Sequence, residues 1–381
     1  MGHRNILFQK VQQKISRHDF DNAAKSFLPP NSARTFTHRN HFDFLLFCIL
    51  MKVPSLRAGL SALKNMPERL YHIGFKQAPK LSTVSDANSK RDWRVFEKLF
   101  FMLLAKTRQY YKNKFSFPLY ILDSSAITFR NKHTEWAAYS KATDGIKVHV
   151  TLDGFAGVPV SAEITDGKVA DITIFKKKEM QRGALYICDR AYWDAKYLHK
   201  QHRNGAFFII RAKSNLIYKT LKEIPSTDPE GKYKESIIQL IGPNGQKYSD
   251  TLRAVQLHDD RKDENFLVLT NNKDLPAESI AALYKYRWQI ELLFKWLKQN
   301  LKFDTLLGYS KNAVMSQIWV AMIAYLILWQ LQQEPEYSDF TMLDFLRYLQ
   351  ARLFICDTSI RLQKAYNKNN KQLQLFQEFW E

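Results

Sequence analysis

Apolar positions recur at helical spacing through residues 1 to 112, most clearly in DFLLFCILMKVPSLRAGLSALKNM (43–66) and WRVFEKLFFMLLAKTRQYY (93–111). No alternating stretch competes there, so the pattern predicts an all-helical segment, with Ser85 or Asp86 as the cap of the piece leading into the second run. After Lys114 the period changes. FPLYILD (117–123) is a short apolar run, and GIKVHVTLDGFAGVPVSAEIT (145–165) reads as two alternating strands about a glycine-containing turn. A helical piece, VADITIFKKKEMQ, precedes the apolar run ALYICD (184–189), and AYWDAKYLHKQHRN leads as a helix into GAFFIIRAK (205–213). The predicted order is strand, hairpin, helix, strand, helix, strand.

Residues 215–265 have dispersed charge, a Gly-Pro-Asn-Gly turn at 242–245 and short β-like runs, SIIQLIG and TLRAVQL, and read as a β-rich insertion. ENFLVLTNN (264–272) restores the core strand pattern, and a helix start near Ser279 feeds the stretch YKYRWQIELLFKWLKQNL (284–301). Wound at about 100° per residue, that stretch puts Tyr284, Arg287, Glu291 and Lys298 within an arc of about 60°, with Lys302 in line, and the rest of its circumference is mostly apolar. The expectation is a helix buried except along one polar strip. Ala313–Leu331 is uncharged for 19 residues, long enough to cross a bilayer, but Ser316, Gln317 and Gln330 favour a buried core helix instead. A basic tail rich in Gln and Asn, with helical character, closes the chain.

Composition sharpens the picture. With 45% hydrophobic and 14% aromatic residues in 381, the chain can bury a large core. Its 57 Lys and Arg against 37 Asp and Glu give a net charge of +20 spread along the whole length, which points to a polyanionic partner, nucleic acid before a membrane face. The charged start MGHRNILFQK does not resemble a secretory signal. Cys48, Cys188 and Cys356 form no CxxC pair, which argues against a zinc or disulfide framework and suits a reducing cytoplasm.

Two acids close apolar runs in the same way, Asp123 after LYIL and Asp189 after LYIC. Each alone reads as a strand-to-turn cap, and Glu291 alone reads as the partner of Arg287 or Lys295, both four residues away. Taken together they suggest chemistry. Three carboxylates from separate elements repel one another unless cations neutralise them, and an all-oxygen ligand set selects hard ions such as Mg²⁺ or Mn²⁺. Two such ions suit phosphoryl transfer. The basic neighbours of Glu291 then have a use: Arg287, Lys298 and Tyr284 hold phosphates of the polymer under attack.

The spacing of Tyr284, Arg287, Glu291 and Lys298 resembles the YREK signature of bacterial insertion-sequence DDE transposases, of the insertion sequence 4 type. LDSS at Asp123, DR at Asp189 and the LTNN ahead of the signature resemble its other blocks, and KVHV, with Lys147 and His149, matches one more. His149 reads as structural and Trp193 as core. Where the family often has Thr after the first Asp this chain has Ser124, and where it often has DRGY this chain has Ala191, which makes a left-handed backbone there unfavourable.

The resemblance implies an α/β, RNase H-like mixed sheet flanked by helices, with a β-rich insertion and an α-helical N-terminal domain. The implied division is 1–112 for DNA binding, 113–214 with 266–332 for the catalytic core, 215–265 for the insertion and 333–381 for a C-terminal helical region. It implies Asp123, Asp189 and Glu291 as catalytic metal ligands for two Mg²⁺ or Mn²⁺ ions. Tyr284, Arg287 and Lys298, joined by the basic Arg190 and Lys295, are the expected DNA contacts. The implied activity is cleavage at terminal inverted repeats and strand transfer into target DNA, by a cytoplasmic, nucleoid-associated protein that forms a homodimer in its synaptic complex. A nuclease of the same fold without strand transfer would carry the same triad, and a catalytically silent DNA-binding repressor is the further alternative, against which the intact Asp123, Asp189 and Glu291 speak.

Overall fold

A computed structural model of the chain describes residues 6–27, 35–111, 117–129, 136–137, 143–225, 233–259 and 263–355. Cys356 and the Gln- and Asn-rich stretch after it lie outside the described residues. The chain divides into two compact units, one of residues 1–110 with 296–381 and the other of residues 111–295. The division falls inside the helix Trp288–Asn300.

The second unit is built on one nine-stranded mixed sheet. Its strands are β1 (Leu119–Phe129), β2 (Asp144–Asp153), β3 (Val158–Asp166), β4 (Leu185–Cys188), β5 (Phe207–Arg211), β6 (Tyr218–Ile224), β7 (Lys234–Leu240), β8 (Leu252–Asp259) and β9 (Glu264–Thr270). Their order across the sheet is β3-β2-β1-β4-β5-β9-β8-β7-β6. β1, β2 and β3 form an antiparallel meander, β4 and β5 run parallel to β1, and β9 turns antiparallel again. This mixed sheet with flanking helices is the RNase H-like class expected from the sequence.

Local chemistry explains the pieces. All four residues of β4 are buried, as a central parallel strand requires. Asp194 starts the crossover helix Ala195–Arg203 by accepting the Tyr197 N–H at 2.8 Å, and Gly205 ends it with φ of 83°. The LTNN segment has a structural use: Asn271 accepts the Phe208 N–H at 2.9 Å and donates to the Ala206 carbonyl at 2.8 Å, tying β9 to the start of β5. The strands between 218 and 259 extend the same sheet beyond β9, and β7 and β8 are joined by a buried ion pair of Glu235 and Arg253.

Three local expectations change. β1 does not stop at Asp123 but runs on to Phe129, paired to β2 alone. The stretch from 284 is two helices, Ala277–Tyr286 and Trp288–Asn300, interrupted at Arg287, whose N–H bonds Tyr284 O in the tighter i to i−3 pattern at 3.1 Å. Trp288 and Leu292 are 40% and 49% exposed, so the burial is not continuous around one polar strip. In the first unit Asp92, not Ser85 or Asp86, accepts the Arg94 N–H at the start of Arg94–Tyr111.

The apolar helix Lys311–Gln332 is a core helix of the first unit, buried along its apolar window and packed against His38–Leu50, Leu81–Lys90 and Met342–Arg352. Its glutamines are satisfied within the protein. Gln317 donates to the carbonyls of Lys302 and Thr305 and accepts the Leu307 N–H at 2.7 Å, while Gln330 donates to Thr107 Oγ1 at 2.7 Å. Such pairing removes the desolvation cost of the buried amides.

Candidate active site

The β1–β4 ladder pairs Leu119 with Leu185, Tyr120 with Tyr186 and Ile121 with Ile187. Carried two residues further, the same register sets Asp123 beside Asp189. Side chains two positions apart on a strand share a face, so both carboxylates project from the face that carries Ile121 and Ile187. At that level β4 has ended, leaving a notch in the sheet between the continuing β1 and the turn Arg190–Tyr192. Reactive groups gather at such strand ends.

Burial pushes the Asp123 carboxyl up to about 7; the Ser124 N–H and Arg287 draw it back, while the charges of Asp189 and Glu291 raise it further. Asp123 therefore feels the charges of both other expected ligands. Glu291, half-buried, is held 2.6 Å from Arg287. The Arg287 guanidinium lies 5.9 Å over the ring of Tyr284, which is itself buried against Phe266. Tyr284 thus sits beneath Arg287 and not on an open strip. Asp189 caps its own turn, accepting the Ala191 N–H at 2.7 Å, and no left-handed backbone occurs at Ala191. Arg190 and Lys295 are exposed. Lys298 lies further along the helix of Glu291, on the part belonging to the first unit.

A fourth acid stands beside Asp123 that the sequence did not single out. Asp171, in the first turn of the helix Asp171–Lys176, accepts the Ser124 hydroxyl at 2.7 Å, and Lys147 Nζ and His149 Nδ1 lie 3.4 Å from the same oxygen. Ser124 in turn donates its N–H to Asp123 at 2.8 Å. The chain Asp171, Ser124, Asp123 fixes how the first acid is presented. His149 is directly across from Ser124 on β2 and bonds Thr165 Oγ1 at 3.0 Å. Because the Thr165 hydroxyl donates to the Asp166 carbonyl, His149 Nε2 is the donor, and burial holds the ring below its ordinary pKa. Nothing in VADITIF marks Asp171, since it follows no apolar run; the available signal was an acid in the first helical turn after the hairpin.

A family model described as a transposase DDE domain matches residues 114–327. The chain belongs to the DDE transposase family. A second model, a domain of unknown function, matches residues 3–76 of this transposase. A protein named as a transposase in Sinorhizobium fredii is 34% identical over 256 residues, covering 66% of this chain and 71% of the other. One named as a transposase for an insertion sequence element in Geobacillus stearothermophilus is 26% identical over 356 residues, covering 92% and 91%. Another, named for an insertion sequence element in Synechocystis, is 29% identical over 313 residues, covering 78% and 83%.

Transposases of this family act on DNA and generally use divalent metal ions. Among the described residues no three His, Cys, Asp or Glu side chains converge closely enough to hold an ion. The donor chemistry nevertheless fits. Asp123, Asp189 and Glu291 make an all-oxygen donor set, which favours a hard cation, and Glu291 is held 2.6 Å from Arg287 in an i, i+4 ion pair.

Proposed function

We propose that this transposase recognises the terminal inverted repeats of an insertion sequence of the YREK-bearing type, hydrolyses a phosphodiester there, and directs the freed 3′-hydroxyl onto a phosphodiester of target DNA. The observation that carries the reading is the β1–β4 register with Asp123 and Asp189 side by side and the charge of Glu291 felt at Asp123.

Asp123, Asp189 and Glu291 would hold Mg²⁺ or Mn²⁺, two ions in this reading, which would supply charge stabilisation for phosphoryl transfer. The other groups are the protein's own. Ser124 and Asp171 orient Asp123. Arg287 offers its guanidinium fork to a phosphate oxygen, and Tyr284 beneath it sets its position. Arg190, Lys295 and Lys298 are suited to phosphates further along the strand. The helical segment 1–112 reads the repeat, 113–214 with 266–332 forms the catalytic core around the insertion 215–265, and 333–381 contributes to a homodimer that pairs two ends. The setting is the nucleoid of a bacterial cytoplasm.

The test incubates the purified protein with a labelled duplex bearing the element's end, a plasmid target and Mg²⁺. Labelled DNA joined covalently to the plasmid is expected. Cleaved ends without joined product would leave a nuclease, and intact duplex that is bound but uncut would leave a silent repressor.

A further inference from the structure

Away from the carboxylates, the second unit has an open groove of about 960 Å³ between the helix Ala195–Arg203, the end of the helix Asp171–Lys176, the chain after β5 and the turn after β7. Six lysines line it against two acids, Glu179 and Asp194. The two acids are already matched, Asp194 by Lys176 at 2.5 Å and Glu179 by Lys200 at 2.7 Å, and Lys178 donates to Ser161 at 2.8 Å. Lys196, Lys213 and Lys247 remain, each exposed and none within ion-pair distance of an acid among the described residues. They come from three separate elements, so their convergence on one groove is a property of the fold and not of a local charge run.

The size alone would admit a small molecule, whose sites span about 300–1,000 Å³, but those are lined mainly by apolar side chains with few polar groups. Here the lining is dominated by lysines, point charges that hold a polyanion without demanding one geometry. Trp193, 7% exposed, contributes to the wall of the groove. Trp193 follows Asp189 by four residues in the chain.

We propose that this groove is a second DNA-binding surface, in which Lys196, Lys213 and Lys247 neutralise phosphates of a duplex that continues beyond the bond being cut. The proposal rests on the reading of the chain as an enzyme acting on DNA. Contacts of this kind carry no base information. The groove therefore strengthens binding to element ends and to unrelated duplexes alike.

The experiment measures duplex affinity against salt for the full-length protein and for the triple variant Lys196→Ala/Lys213→Ala/Lys247→Ala, with the element-end duplex and an unrelated duplex of equal length. The triple Lys→Arg variant reports whether charge alone is needed, and matched melting curves exclude misfolding. Removing three contacts is expected to reduce the log–log salt slope by roughly 2–3, with similar losses on both duplexes and recovery in the arginine variant. An unchanged slope and affinity, beside a wild type that binds and cuts, would overturn the groove and leave the active-site reading standing. Polyglutamate competing through these lysines while DNA binding is unaffected would mark an acidic protein as the occupant and overturn it too. A wild type that binds no DNA at all would instead remove the reading on which the groove depends.

Discussion

Asp123 has the most informative side chain in the molecule, because its surroundings oppose the charge its proposed task requires. Burial raises its carboxyl from 3.8 in the unfolded chain to about 7 in the fold. Between those values the folded state binds the proton and the unfolded state does not, so this group's contribution to stability declines as pH rises through that window and is flat above it. In metal-free protein, Asp123→Asn is therefore expected to raise the melting temperature relative to wild type at pH 8, with a gap that shrinks towards pH 4. A gap of equal size at both values would mean that Asp123 is not under electrostatic pressure. The residue was picked out in the sequence by its place after LYIL and the matching place of Asp189. Its clamp was not, because Asp171 and Ser124 meet only when the helix after the hairpin folds back onto β1.

Elements decide where those residues end up. The strands were legible from alternation and from short apolar runs, since a sheet face imposes a period of two. The length of β1 was not, because ILDSSAITF carries a polar stretch that is tolerated only where β2 covers one edge and the notch opens on the other. The break at Arg287 was equally hidden: the residue keeps a helical backbone, and only the hydrogen-bond pattern changes. The turn between β2 and β3 holds β1 in place through Gly154, whose N–H bonds the Leu119 carbonyl at 2.8 Å. A Cβ there would lie 2.8 Å from Leu119 Cδ2. Gly154→Ala is thus expected to destabilise by about 1–3 kcal/mol, the usual cost of overpacking, read as a lower denaturant midpoint with an unchanged m-value. An unaltered midpoint would show that Leu119 yields freely and that this turn does not fix β1.

For the whole molecule, charge and pattern foretold a nucleic-acid partner and a helical segment joined to a mixed sheet. They did not foretell that the strands from 218 to 259 continue the central sheet, because what joins β7 to β8 is a buried pair of opposite charges, Glu235 and Arg253, in a stretch whose charges looked solvated. Nor did they reveal the lysine groove, whose members are 17 and 34 residues apart, from Lys196 to Lys213 and from Lys213 to Lys247. At this scale the central proposal is that Asp123, Asp189 and Glu291 act as a single metal-dependent centre on DNA. Its most direct measurement is single-turnover cleavage of an element-end duplex in Mg²⁺ by wild type, Asp123→Asn, Asp189→Asn and Glu291→Gln, with DNA affinity measured in parallel. The account predicts that each variant loses at least about 100-fold in cleavage, the scale of removing one essential electrostatic group, while binding the duplex as tightly as wild type or tighter. Cleavage by any one of the three at the wild-type rate would contradict it.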